Sequence, residues 1–191
     1  MWKYIAKYAS FHTGRVFLRP LSYEDAEDFY DLLSHPENVA YILPSQTDDE
    51  LVVELLVKDW LMAPLGKWAI VDETTQKVIG LVRFENIKEE KKRAELGYLI
   101  REDYRGHGLM THVLKNLVYL SFYQFGLQEL ALVIHLENRA SQRVAEKAGF
   151  QPLRQFKGSD RYHHKMQSYI EYTINKKEFK LESYGKSNDY D

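Results

Sequence analysis

The stretch "DYRGHGLMTHVLKNL", residues 103–117, sets two glycines, Gly106 and Gly108, directly ahead of a run with helical apolar spacing. Glycine costs about 1 kcal/mol against alanine inside a helix, so bare backbone at this entrance needs a reason. Upstream, "RAELGYLI" (93–100) alternates as a strand does. Downstream, Met110, Val113, Leu114, Leu117, Val118 and Ser121 trace one buried stripe of a helix spanning about 109–125, with Gly126 as its stop. A strand, a glycine turn and a helix N-terminus together make an anion site: amides without a helical partner point outward, and the helix dipole adds partial positive charge. The spacing is not a dinucleotide fingerprint, because the third glycine would fall on Thr111. It is not a Walker A loop either, since no G-K-[ST] occurs. A lone G-x-G is equally compatible with a purely structural turn.

Working outward, "RVFLRP" (15–20) reads as a short strand stopped by Pro20. Ser22 with Asp25 three later is a capping-box pattern ahead of a helix carrying Ala26, Phe29, Tyr30, Leu32 and Leu33. A second helix is expected from near Thr47, with Glu50 three later, to about Leu61. "KWAIVDE" and "KVIGLVRFENI" flank "TTQ" as a hairpin, and "KEEKKR" (88–93) is a charged hairpin tip. "QELALVIHL" is a strand, and "NRASQRVAEKAG" a helix capped by Asn138 and ended by Gly149. Two late strands are expected at about 151–157 and 167–174. The order βααβββαβαββ is a mixed α/β layout in one domain, residues 1–175, followed by a polar, solvated tail at 176–191.

The 191 residues are 45% hydrophobic, enough for one sizeable core. No run approaches the roughly 18 apolar residues of a membrane helix, and the start lacks a signal-peptide core, so no membrane association is expected. The absence of Cys excludes disulfides, thiolate metal sites and a cysteine nucleophile, and is compatible with a cytoplasmic protein. A net charge of −2 and a pI of about 6.4 argue against general nucleic-acid binding.

The blocks "AELGYLIREDYRGHGLMTHVLKNL" and "ENRASQRVAEKAGF", with support from "VFLRPLSYEDAEDFYDLL", resemble the GCN5-related N-acetyltransferase (GNAT) superfamily. The resemblance spans most of residues 15–157 and is nearest to the Rim-type ribosomal-protein-alanine N-acetyltransferases. It implies the GNAT acyl-CoA N-acyltransferase fold, a mixed but mostly antiparallel sheet flanked by helices, with acetyl-CoA as co-substrate. That family binds the cofactor pyrophosphate with an [RQ]-x-x-G-x-[GA] turn. The matching residues are Arg105, Gly108 and Met110, the last departing from the usual small residue. A backbone-mediated contact tolerates this if the Met110 side chain points into the core. Arg105, Gly106, His107, Gly108, Leu109, Met110 and Thr111, with Asn138, are the implied cofactor-binding set.

Amide formation from a thioester needs an uncharged amine, a polarised carbonyl and a proton for the leaving thiolate. Without Cys there is no cysteinyl acyl-enzyme, which favours direct attack in a ternary complex. An α-amine, with pKa about 7.7–8.0, is roughly a quarter neutral near pH 7.4, whereas a lysine amine, near 10.4, is about a thousandth neutral. Glu95 stands where several family members place a catalytic base; the alternative is a solubilising strand glutamate. Many members carry an acidic Tyr four residues before the Gly-Phe pair, but here that position is Ala145. The Rim-type N-x-x-S pattern instead falls on Asn138 and Ser141, and Ser141 is the candidate to face the sulfur.

Scattered histidines offer no metal site, and none is expected: His163 and His164 are adjacent and would point to opposite sides of a strand. Arg143 and Lys147, one helical turn apart, are placed either to approach the nucleotide phosphates or, the preferred reading, on a solvated face. The acids Glu24, Asp25, Glu27, Asp28 and Asp48 to Glu50 suit helix starts better than a cationic substrate. Three readings of the acceptor stay open: a protein N-terminal α-amine, a small-molecule amine such as a polyamine, aminoglycoside or amino-acid-like compound, or no turnover at all in a CoA-binding protein. Relatives commonly form dimers, so a homodimer is a further expectation of the resemblance.

Overall fold

The structure is a computed structural model and describes residues 1–159 and 164–179. His163 and residues 180–191 of the expected tail lie outside the described residues. The elements, in chain order, are α1 (Trp2–Lys7), β1 (Phe11–His12), β2 (Phe17–Arg19), α2 (Ala26–Ser34), α3 (Pro36–Val39), α4 (Asp49–Leu55), β3 (Lys67–Val71), β4 (Val78–Lys88), β5 (Arg93–Ile100), α5 (Leu109–Tyr123), β6 (Glu129–His135), α6 (Arg139–Lys147), β7 (Gln151–Ser159) and β8 (Met166–Asn175). Among the described residues the strands form one eight-stranded sheet in the order β1-β2-β3-β4-β5-β6-β8-β7. Every pairing is antiparallel except β5 with β6.

Both faces of the sheet are covered, one more fully than the other. On one side, Leu114, Leu117 and Phe122 of α5 and Ala145 of α6 pack with Trp68, Ile70, Leu96 and Phe150. On the other, Phe29 and Leu32 of α2 and Val52, Leu56 and Trp60 of the α4 region pack on Ala69, Val71, Leu81 and Leu99. Burial of this apolar area is the main stabilising term. The second cover reaches only β2–β5. Beyond it, among the described residues, no helix covers the outward side chains at the start of β5 or those of β6, β8 and β7.

The local signals act largely as the sequence suggests. Ser22 and Asp25 form the capping box, and Arg19 adds a bidentate pair to Asp25 at 2.7 and 2.8 Å. Although burial alone would raise it, this network holds the Asp25 carboxyl below the usual range. Some elements differ from expectation. The second helix is capped by Asp48, whose Oδ1 accepts from Leu51 N, not by Thr47; it loosens to a π-turn over Leu56–Leu61. The stretches α1, β1 and α3 had no clear periodicity, each being too short to show one. At the tail, Lys176 donates to the carbonyl of Phe122 and Phe179 packs against Phe122, so the solvated stretch does not begin at Lys176.

The parallel pairing of β5 and β6 is brief. It joins Arg93–Glu129, Ala94–Leu130 and Glu95–Ala131, and then stops. Strand β5 continues to Ile100 paired only with β4, and β6 continues to His135 paired only with β8. The sheet is therefore split along its second half, leaving facing edges whose backbone groups have no strand partner among the described residues.

Candidate active site

The split opens into a cavity of about 270 Å³. One wall is Tyr98, Leu99 and Ile100 of β5; the other is Asn138, Ala140, Ser141, Arg143, Val144 and Lys147 at α6. Its floor is the glycine turn. Gly106 has φ +82° and Gly108, the N-cap of α5, has φ +73°. Only glycine takes this left-handed region without strain, which answers why two of them stand here. The turn ends with Leu109, Met110 and Thr111, whose first-turn amides have no acceptor within their own helix by geometry.

Eight of the ten residues expected in the site line this one cavity: Arg105, Gly106, Gly108, Leu109, Met110, Thr111, Asn138 and Ser141. Their side chains do different things. Met110 is buried in the core, so it leaves the turn's backbone open. The Arg105 guanidinium is turned onto carbonyls, donating to Ile100 at 3.1 Å, Glu37 at 2.8 Å and Asn38 at 3.3 Å. It fastens α3 to the end of β5 and shapes the turn. Asn38 completes this clamp by accepting from Glu102 N at 2.9 Å. The Asn138 side chain accepts from Ser141 N at 3.1 Å, an N-cap, and this sets the first turn of α6 against the cavity.

His107 and Glu95 do not line the cavity. His107 is exposed, and its carbonyl accepts from Arg15 at 3.2 Å. Glu95 is the last paired residue of β5 before the split. Its carboxylate faces the helix-free side of the sheet, where Asn86 donates to it at 2.7 Å and Arg93 lies 3.8 Å away. Asn86 sits at a register shift of β4 with φ +44°, and that irregularity aims its amide.

Two features depart from the preferred reading of the sequence or were absent from it. Arg143 and Lys147, for which a solvated face was preferred over a phosphate contact, stand one turn apart on the cavity wall and make it electropositive. Tyr98 reaches across the split, its hydroxyl donating to the carbonyl of Ser141 at 3.5 Å. Burial pushes its phenol up to about 12. Strand alternation places Tyr98 on the α6 side, but only the tertiary fold places α6 there.

A turn of left-handed glycines, open helix amides, two cations opposite and an extended, unpaired strand edge fit a molecule with a diphosphate and a long amide-bearing arm. Coenzyme A has both. Comparisons with known proteins agree. Residues 15–151 match the family described as Acetyltransferase (GNAT) domain. The uncharacterized N-acetyltransferase YoaA of Bacillus subtilis is 28% identical over 151 residues, 75% of this chain and 85% of that protein. The spermidine N(1)-acetyltransferase of Escherichia coli is 29% identical over 136 residues, 71% of this chain and 72% of that one. The ribosomal-protein-serine acetyltransferase of the same organism is 28% identical over 74 residues, 39% and 41% of the two chains. A spermidine N-acetyltransferase from Vibrio cholerae, solved with CoA and spermine, superposes with a TM-score of 0.72 at 18% identity over 86% of this chain and 98% of that one. Shared fold, family match and cavity chemistry converge: the chain belongs to the GNAT acetyltransferase family and is an acetyl-CoA-dependent N-acetyltransferase.

Proposed function

We propose that the acceptor is a single primary amine at a protein N-terminus. The observation that carries this is the charge balance of the helix-free sheet face. Among the described residues its ion pairs hold four carboxylates, Glu85, Glu95, Glu129 and Glu171, and three arginines, Arg83, Arg93 and Arg154, with Asp59 of the π-turn pairing to Lys67 and Arg83 at the border of the helical cover. Glu85, Glu129 and Glu171 are held at 2.5–2.8 Å by an arginine; of these four acids, Glu95 alone has its nearest cation as far as 3.8 Å. Within this network Glu95 is the carboxylate left without a close cation, and so the one placed to meet an amine. A polyamine, with several cations, would need more. The rival reading, a small polyamine, draws its support from the similarity to the spermidine enzyme, whose share of this chain is the larger.

On this reading the phosphates of acetyl-CoA lie on the amides from Gly106 to Thr111, with Arg143 and Lys147 adding charge, and the acyl arm enters the split. Ser141 faces that arm. The amine nitrogen attacks the carbonyl carbon, the new C–N bond forms, the C–S bond breaks and sulfur takes its electron pair. Glu95, directly or through a water, takes the amine proton. An α-amine is already partly neutral, so this base supplies a modest factor. Glu95→Gln is expected to lower kcat/KM about tenfold below pH 7 and less above pH 8, with acetyl-CoA affinity kept. An unchanged profile removes Glu95 from the reaction. An N-terminal acceptor arises where proteins are made, so the cytoplasm is the compartment this reading implies.

The deciding experiment is thiol release from acetyl-CoA across an acceptor panel: peptides with free N-terminal Ala or Ser, lysine peptides with blocked N-termini, polyamines and aminoglycosides. Selective turnover of the free-N-terminus peptides is the expected result. Turnover confined to polyamines or another small amine overturns it.

A further inference from the structure

We infer that Tyr98 is a catalytic residue whose hydroxyl donates a hydrogen bond to the sulfur of the departing coenzyme A. The family's usual helix tyrosine is replaced here by Ala145, which is fully buried and has no proton to offer. The cavity must therefore supply a donor from elsewhere. Five of its lining residues carry hydroxyls: Tyr41, Tyr98, Tyr104, Thr111 and Ser141. Tyr104 is held by Asp72 at 3.0 Å. Thr111 belongs to the glycine turn, and Tyr41 stands at the rim, 46% exposed. Tyr98 and Ser141 remain, on opposite walls of the split.

The route of the thioester selects between the walls. The diphosphate turn lies at the α5 side of the sheet, and Glu95 faces the opposite side. The opening between β5 and β6 connects them, so the reacting carbon and sulfur must sit in it. Tyr98 reaches from β5 to the first turn of α6, beside that opening. Its present partner, the carbonyl of Ser141, is 3.5 Å away and, lying inside α6, already accepts a helical bond by geometry. The bond is weak and readily exchanged for a better acceptor. A thiolate is a better acceptor, because charge-assisted hydrogen bonds are about twice as strong as neutral ones.

The hydroxyl acts as a donor and keeps its proton. Burial holds the phenol at about 12, well above an ordinary thiol near 8.5, so full transfer to sulfur would run uphill. As the C–S bond breaks, the electron pair moves to sulfur and the Tyr98 O–H stabilises it in place. The amine proton leaves by the Glu95 side, and the thiolate is protonated from solvent after release. The placement resembles an oxyanion-hole donor, aimed at charge that develops only during reaction.

The test is Tyr98→Phe, which removes one oxygen and keeps the ring. With any amine that turns over, kcat is expected to fall about 10- to 30-fold while KM for acetyl-CoA stays within about twofold. The second readout uses no acceptor, so it stands whether or not the N-terminal reading holds. Calorimetric affinities for CoA and for desulfo-CoA are compared from pH 6.5 to 9.5. In the native protein CoA should tighten relative to desulfo-CoA as the thiol ionises. In Tyr98→Phe that pH-dependent gain should shrink about tenfold, with desulfo-CoA binding unchanged, which also reports an intact fold. An identical pH-dependent gain in both proteins, or an unaltered kcat, overturns the assignment.

Discussion

Valine at position 108 is expected to weaken acetyl-CoA binding by about 10- to 100-fold, with a smaller loss from asparagine. The two substitutions separate conformation from bulk. A Cβ built on Gly108 comes no closer than 4.0 Å to any neighbour, the Arg15 guanidinium, so there is room for a side chain. What is missing is tolerance of φ +73°. A β-branched residue there is strained by roughly 1–3 kcal/mol, and the turn relieves that strain by swinging its amides out of register. Asparagine visits the left-handed region far more readily and should keep most of the affinity. Calorimetric Kd values for acetyl-CoA, taken with thermal midpoints, check this. Equal weakening by both residues would mean that the backbone conformation is not what the cofactor reads.

The second large effect is on stability. Arg93 lies on the first rung of the β5–β6 pairing, two residues before the split, and binds Glu129 at 2.6 Å and Glu171 at 2.5 Å. The Glu171 side chain is 6% exposed, and Arg154 is its other partner at 2.6 Å. Replacing Arg93 with Met leaves a buried carboxylate with half its compensation. Breaking buried pairs one-sidedly costs about 3–5 kcal/mol, and the surviving arginine places this case near the lower end, about 3 kcal/mol. The double change Arg93→Met with Glu171→Gln removes the stranded charge and is expected to recover at least half of the loss. Urea unfolding of the four proteins in the cycle measures the coupling. A single-variant loss below about 1 kcal/mol would show that Arg154 alone carries Glu171.

Most of the scaffold was legible because local signals and tertiary needs coincide. The strand "RAELGYLI" is β5 from first residue to last, and the stripe Met110, Val113, Leu114, Leu117, Val118 and Ser121 is buried throughout. Asn138 caps α6 as its side chain permits. The omissions have a common cause. Helix α1 has six residues and is held by the burial of Ile5, not by propensity; α3 has four and is fixed by Pro36 and the Arg105 clamp. Such short helices exist only through what they pack on. The same holds for the site. The glycine turn is written in neighbouring residues, so it could be read. Tyr98 and Ser141 are forty-three residues apart and meet only across the split, so their pairing could not. Arg143 and Lys147 looked solvated because a helix face alternates regardless of whether water or a cofactor lies beyond it.

The split has one more consequence, for the energetics of the whole molecule. Strands β6, β8 and β7 join the rest of the sheet through three rungs, at Arg93, Ala94 and Glu95. Beneath them, α5 and the buried core hold the two blocks together. On the proposed reading, a cofactor between the separated edges would act as a surrogate strand, shared by both blocks and present only in the native state. Occupancy then becomes a term in the folding equilibrium, contributing about 2.7 kcal/mol when free acetyl-CoA stands at 100 times its Kd. With acetyl-CoA abundant the seam would be stitched; with it scarce, the same seam is the place from which the sheet would begin to open.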